Sequence, residues 1–456
     1  MQGDDFITRK IPECPPRPEE SNSHPDFNKE KYTIEVITPL FGGGVEAGKV
    51  DPSMPIRPSS IRGHLRFWWR ATRGARCSDV KNLRERESEI WGSTENPSPV
   101  IIEVVQPERD TLEPRSHPHH GFQRSGAEAY ILFSAKENNL CKEGFTFELR
   151  MYWPKPEALQ QLRDTENAEL KRLKKKTKPE KIEDIGPDVE MALWAWVNFG
   201  GIGARTRRGC GALYCKKLAS PDRDSIGIWY ITCLKKHGIH ISTSREWPVM
   251  PEKILIKPNT NNNVLESWEK SISTMKEFRQ GRDIGRDRGT GNHPGRSRWP
   301  EAETLRTQIY GSETRPKGIH STDSRMKGIH AFPRIEFGMP IILEIRGESI
   351  KSTLQPSAEN DRMASPLILR PLKFADGKCA SMIIRLNTPQ LTSAFVKPGA
   401  NDLRKGHPIK SSDIVSSNNQ NYRDSPMKGR CNTGSALDAF LTFAKEPKNG
   451  FMEVPE

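Results

Sequence analysis

A length of 456 residues, with 34% hydrophobic residues, 35 Gly and 36 Pro, predicts two or three domains with long loops around modest cores. The ten Trp and seventeen Phe supply large buried areas to those cores, and a net charge of +13 with an isoelectric point near 9.3 favours a polyanionic partner. Cys14, Cys77, Cys141, Cys210, Cys215, Cys233, Cys379 and Cys431 never form a C-x-x-C pair, which argues against a zinc ribbon and a disulfide framework. No apolar run approaches the roughly 20 residues of a spanning helix.

The opening MQGDDFITRK is polar, without the basic-then-apolar pattern of a leader, so a cytoplasmic protein with reduced thiols is expected. Residues 1–28 read as a tail. The alternating run YTIEVITPLF (32–41) predicts a strand that runs straight into Gly42, Gly43 and Gly44. A helix follows from Ser59 or Ser60, as N-cap, to Arg73. Strands are expected at 99–105, 129–134 and 145–153, and Lys-rich 171–181 reads as a solvated helical insertion. A second helix, VEMALWAWVNF (189–199), stops at Gly200, and GCGALYC (209–215) reads as the returning strand.

Strand, helix, strands, helix, strand is the order of an α+β fold with helices on one face of an antiparallel sheet, ferredoxin-like or RRM-type. The pattern restarts near 226: strands at 226–234 and 252–258, a helix at 264–280, a strand pair at 334–345, and a hairpin from 364–374 and 379–386. The reading is therefore a first module at 29–225, a second at 226–386, and a polar extension at 387–456 with one short helix near 436–444.

Three segments carry the chemistry. No acidic residue lies between Asp51 and Asp79, while Arg57, Arg62, Arg66, Arg70, Arg73 and Arg76 do. At helical spacing Ile61, Leu65, Trp68 and Thr72 share one face, and Arg62, Arg66, Arg70 and Arg73 form the adjacent stripe. Guanidinium forks suit phosphate oxygens, and backbone contacts dominate nucleic-acid affinity. Trp69 lies between the two faces, open to core packing or base stacking. In GIGARTRRGCG, Gly201, Gly203, Gly209 and Gly211 bracket Arg205, Arg207 and Arg208. Glycine permits close backbone approach, so successive N–H groups could form an anion-binding nest that the arginines close over. The loop follows a helix C-terminus, so no helix dipole assists it. Finally, 279–298 carries Arg279, Arg282, Arg286, Arg288, Arg296 and Arg298 against only Asp283 and Asp287, the composition of a flexible loop that orders on RNA.

The Gly-x-Gly, five residues, Gly-x-Gly spacing is similar to the signature loop of the RAMP superfamily, the repeat-associated RNA-binding proteins of CRISPR systems. Together with TPLFGGGVE (38–46), PIRPSSIRGHLRFWWR (55–70), GRSRWPEAETLR (295–306) and ASPLILRPL (364–372), the chain resembles the first-numbered subunit family of type III-B Cmr effector complexes. The resemblance covers about 38–372. It implies two ferredoxin-like modules and a non-catalytic role in binding crRNA near its 3′ region and capturing target RNA. The partners it implies are a Cas10-type large subunit and the backbone RAMP subunits. Carried onto this sequence, its RNA-binding positions are Gly42 to Gly44, Arg57, Arg62, Arg66, Arg70 and Gly201 to Gly211; the charge reading adds Arg286, Arg296 and Arg298.

Two alternatives stay open, a metal-independent endoribonuclease processing precursor crRNA and a structural scaffold contacting acidic partners. For the first, His64 is the candidate acid/base group, although no second such group lies near it in sequence. His117, His119 and His120 lack a carboxylate or cysteine at ligand spacing, so neither a metal nor a cofactor is expected.

Overall fold

The computed structural model describes residues 26–46, 48–51, 53–107, 112, 114–115, 127–132, 140–239, 245–259, 262–289, 295–311, 324–326, 328–345, 350–400, 402, 404–416 and 418–455. Strand β1 (Phe27–Val36) buries Tyr32, Ile34 and Val36 and turns Lys31 and Thr33 to solvent, the period-two pattern of a half-covered sheet. Helix α1 (Pro58–Ala71) buries Ile61, Leu65, Trp68 and Trp69. Its first residue is Pro58, and Arg57 is the N-cap without a side-chain bond, rather than the expected serine. Proline presets the helical φ and has no N–H to leave unpaired.

Helix α2 (Val80–Trp91) is capped by Asp79, whose carboxylate accepts from the Asn82 amide. Then come β2 (Ile101–Val105), β3 (Thr146–Pro154), α3 (Pro156–Arg172), α4 (Gly186–Phe199) and β4 (Leu213–Tyr214). The strands form one antiparallel sheet in the order β2-β3-β1-β4, the ferredoxin-like arrangement in which two helices cover one face. The tail of α3 leads into 173–181, which is largely exposed and non-helical, so the lysine-rich insertion is a helix only up to Arg172.

The second module repeats the plan after a connecting helix, α5 (Ile226–Lys236). This helix replaces the strand expected at 226–234. Ile226, Tyr230 and Leu234 are buried while Ile228 is 77% exposed, a spacing of four that fits one helix face. Then follow β5 (Ile254–Pro258), α6 (Val264–Gln280), β6 (Ile341–Ile345), β7 (Ile350–Gln355), β8 (Leu367–Lys373), β9 (Cys379–Arg385), β10 (Ser393–Pro398), β11 (His407–Lys410), α7 (Ala436–Lys445) and β12 (Met452–Val454). One sheet runs β8-β9-β5-β12, and a separate antiparallel sheet runs β11-β10-β7-β6.

The second sheet takes its outer strand from 452–454, paired Met452 to Ile256, and Ala436, Phe440 and Phe443 of α7 lie in its core with Phe278. Residues beyond 386 therefore belong to the module instead of extending from it. The expected strand pair at 334–345 is a 3-10 turn, Pro333–Phe337, followed by one strand, and residues 129–131 of the expected 129–134 strand lie in a short helix, Ala127–Ile131. The hairpin of β8 and β9 holds the register Leu367 to Arg385 through Lys373 to Cys379. No helix among the described residues is long and apolar enough to cross a membrane.

Candidate nucleic-acid interface

Pairing of β4 with β1, Glu35 to Tyr214 and Val36 to Leu213, forces the two glycine loops together across some 160 positions of sequence. The Gly211 amide donates to Pro39 O at 2.9 Å and the Ala204 amide to Phe41 O at 2.6 Å. Thr38, fully buried, donates its hydroxyl to Gly209 O at 2.6 Å and accepts from the Ala212 amide at 2.8 Å. Gly43 has φ +94, and a Cβ there would stand 3.1 Å from Gly203 Cα. At Gly44 a Cβ would come within 2.6 Å of Lys49 O. The glycines thus allow two backbones to touch each other.

The same hydrogen bonds shrink the expected nest. The amides of Ile202, Ala204, Arg208, Gly209 and Gly211 all donate within the protein. Gly209 is wedged against the second module: a Cβ would meet Leu369 O and the Trp268 ring at 2.6 Å, and Trp268 Nε1 donates to Arg208 O at 2.7 Å. A Cβ at Gly201 would lie 2.8 Å from Gly211 O. The loop is therefore the joint between modules, and its charge lies in its side chains.

Those side chains are held by carbonyls and rings. Arg205, at φ 58, donates to Ile131 O and lies 5.7 Å from the Phe41 ring centroid. Arg207 donates to Ser365 O and lies 5.2 Å from Phe67. Among the described residues neither Arg207 nor Arg208 has a carboxylate partner, and Arg208 Nη1 is buried without a hydrogen bond. Burial pulls both guanidiniums down to about 10, which leaves them charged at neutral pH. Arg205, Arg207 and Arg279 add repulsion at Arg208. Arg57 donates to the carbonyls of Gly43 and Gly44, tying α1 to the first loop.

The α1 stripe is different. Arg66 and Arg70 both pair with Glu87 at 2.6 Å, and Arg73 pairs with Asp188 at 2.9 Å. The acid-free sequence around α1 is thus neutralised in space, because α2 folds back and places Glu87 beside it. Arg62 donates to Val100 O at 3.0 Å and has no carboxylate partner among the described residues. Trp69 is core: it is 1% exposed and donates to Asp188 at 2.8 Å.

Segment 279–298 is folded where described. Asp287 accepts from Arg298 at 2.8 Å and from Arg325 at 2.8 and 2.9 Å, and Arg288 pairs with Asp283 at 2.7 Å. Arg296 reaches Glu303 at 3.2 Å, and Arg286 is part-buried beside Arg334. Two aspartates thus organise the arginine-rich sequence instead of leaving it open. His64 stacks on Trp196, centroids 6.2 Å apart, and burial pulls it down to about 4, so the ring is neutral at pH 7. His117, His119 and His120 lie outside the described residues. Among the described residues no group of three or more His, Cys, Asp or Glu could hold a metal ion.

Residues 33–214 match the RAMP superfamily. CRISPR system Cmr subunit Cmr1-1 of Pyrococcus furiosus is 27% identical over 177 residues, 38% of this chain and 44% of that protein, so the match spans less than half the relative's length. Cmr1-2 of the same organism is 27% identical over 205 residues, 41% of this chain and 95% of that protein. A crystal structure of Cmr1 from Pyrococcus furiosus in its apo form aligns at TM-score 0.46 and 16% identity over 84% of this chain and 94% of that one. A chain of the type III-B Cmr-beta complex bound to cognate target RNA aligns at 0.43 and 11%, over 83% and 97%.

One residue of the joint escaped the sequence reading. Arg370 of β8 is fully buried and crosses into the first module. Its Nη1 donates to Val197 O at 3.1 Å and Gly200 O at 2.6 Å, and its Nη2 donates to Leu213 O at 2.7 Å. It therefore neutralises the carbonyl end of α4 where the glycine loop begins. Burial pulls it down to about 9. The available signal was a lone cation inside the apolar run LILRPL.

Proposed function

We propose that this chain is a non-catalytic, RNA-binding subunit of a type III-B Cmr RNA-guided effector complex, acting in antiviral defence. The observation that carries the reading is the pair Arg207 and Arg208, desolvated at the module joint with no carboxylate partner among the described residues. A desolvated cation without an acid is costly unless an anion completes it, and the RNA backbone is such an anion. The RAMP match and the names of the two relatives support the placement in a Cmr complex. In this reading the glycine loops at 42–44 and 201–211 set the joint, Arg57 and Arg62 extend it along α1, and Arg286 lies on a second basic surface. The ligands are crRNA, near its 3′ region, and target RNA; the neighbours are a Cas10-type large subunit and backbone RAMP subunits. His64, stacked and held neutral, supports a role other than acid/base catalysis.

The test is single-stranded RNA binding by the full chain over a salt series. Replacing Arg207 and Arg208 together by Gln should flatten the slope of log K against log salt by about 1.4, at roughly 0.7 per phosphate contact for single strands. An unchanged slope in a folded double variant would overturn the assignment.

A further inference from the structure

Beside the joint lies a cleft of about 760 Å³ that the sequence reading did not anticipate. It opens between the glycine loop, the β8–β9 hairpin and the sheet of β6, β7, β10 and β11. Its walls include Met363, Pro366, Leu391 and Leu437. Its polar groups converge on one side. Arg385 pairs with Asp438, which also accepts from Thr433 Oγ1 at 2.6 Å. Buried Glu336 accepts from Ser435 Oγ at 2.9 Å and from the Ala436 amide at 2.5 Å. Burial raises the Glu336 carboxyl to about 7. Arg207 lies on the lining as well, so the cation proposed for the RNA backbone also borders this cleft.

An apolar cavity of this size with a few convergent polar groups has the make-up of a small-molecule site. A perturbed carboxyl within it adds to that profile. The walls suit the faces of a planar ring, while the Arg385–Asp438 pair and Thr433 offer both donors and acceptors to its edge. Single-stranded RNA is read by just such removal of a base from the stack.

We infer that the cleft takes up one unstacked nucleotide of a bound RNA strand, its base between Leu391, Pro366 and Leu437 and its phosphate on Arg207. This rests on the RNA-binding reading above and adds a base-recognition site to it.

The experiment uses the full chain and a single-stranded RNA carrying 2-aminopurine at one position at a time, with affinity measured first. The expected result is one position whose emission changes several-fold on binding. Ala364→Trp, at the exposed mouth of the cleft, should abolish that change while overall affinity falls less than about ten-fold. Binding with no position-specific change, or a change that persists in a folded Ala364→Trp protein, overturns the cleft and leaves the RNA reading intact. Absence of RNA binding by the unaltered protein overturns both. Should Ala364→Trp fail to fold, 4-thiouridine crosslinking on the unaltered protein decides. Crosslinks within 388–393 or 433–438 support the cleft. Crosslinks confined elsewhere overturn it and leave the cleft to a protein segment.

Discussion

The α1 helix and the 201–211 loop carry similar arginine-rich sequence but use it in opposite ways. Around α1, Arg66 and Arg70 share Glu87, and Arg73 just beyond the helix shares Asp188 with Arg86, so of the four-arginine stripe Arg62 alone has no described carboxylate partner. In the loop, Arg207 and Arg208 are held by a backbone carbonyl, a ring and packing, with no described carboxylate beside them. The difference teaches that arginine density does not locate an anion site. What locates it is whether the fold brings acids to the arginines, because a paired guanidinium has already spent most of its field on its partner.

The comparison can be broken at several points. The largest effect should come from Arg370→Leu, which strands the carbonyls of Val197, Gly200 and Leu213 in the joint. A loss of about 3 kcal/mol or more is expected in urea unfolding; a near-neutral result would mean the joint is not held by this cation. Next, Gly209→Ala and Gly203→Ala should each cost about 1–3 kcal/mol. Their added Cβ would meet Trp268 or Leu40 at 2.6–2.7 Å, and both glycines have positive φ. Thermal melts would show this, and equal melting temperatures would release the loop from its structural role.

A direct contrast comes from the charge variants. Arg66→Gln with Arg70→Gln removes two cations but frees Glu87, so its RNA salt slope should change by about 0.7, half the value expected for the Arg207 and Arg208 pair. Equal changes for the two pairs would erase the distinction drawn above. The smallest effect concerns His64. Its folded value of about 4 lies below the ordinary 6.5, so the unfolded chain takes up the proton first and stability falls as pH drops below 6.5. His64→Gln should remove about 0.7 kcal/mol of the loss between pH 7 and pH 6; an unaltered pH profile would mean that the ring is solvated.

Much of the architecture was legible in local pattern. The alternation of Tyr32, Ile34 and Val36, the helical spacing of Ile61, Leu65 and Trp68, and the hairpin at 367–385 follow from periods that side-chain burial imposes on any chain. Where local pattern failed, partners from far along the sequence decided. IGIWYITCL is as apolar and β-branched as a strand, yet it packs one helical face, and polar 387–456 contains the strand that completes the second sheet.

The sequence alone determined the glycine positions of the 201–211 loop and the presence of Arg205, Arg207 and Arg208 between them, since both are fixed by chain order. Only the tertiary structure decided what those features do. It committed the amides of Ile202, Ala204, Arg208, Gly209 and Gly211 to Pro39, Phe41 and the loop itself, set Glu87 against α1 instead of against the loop, and drove Arg370 into the end of α4. The physical reason is that charge pairing and backbone satisfaction depend on distance in space, which sequence spacing does not encode.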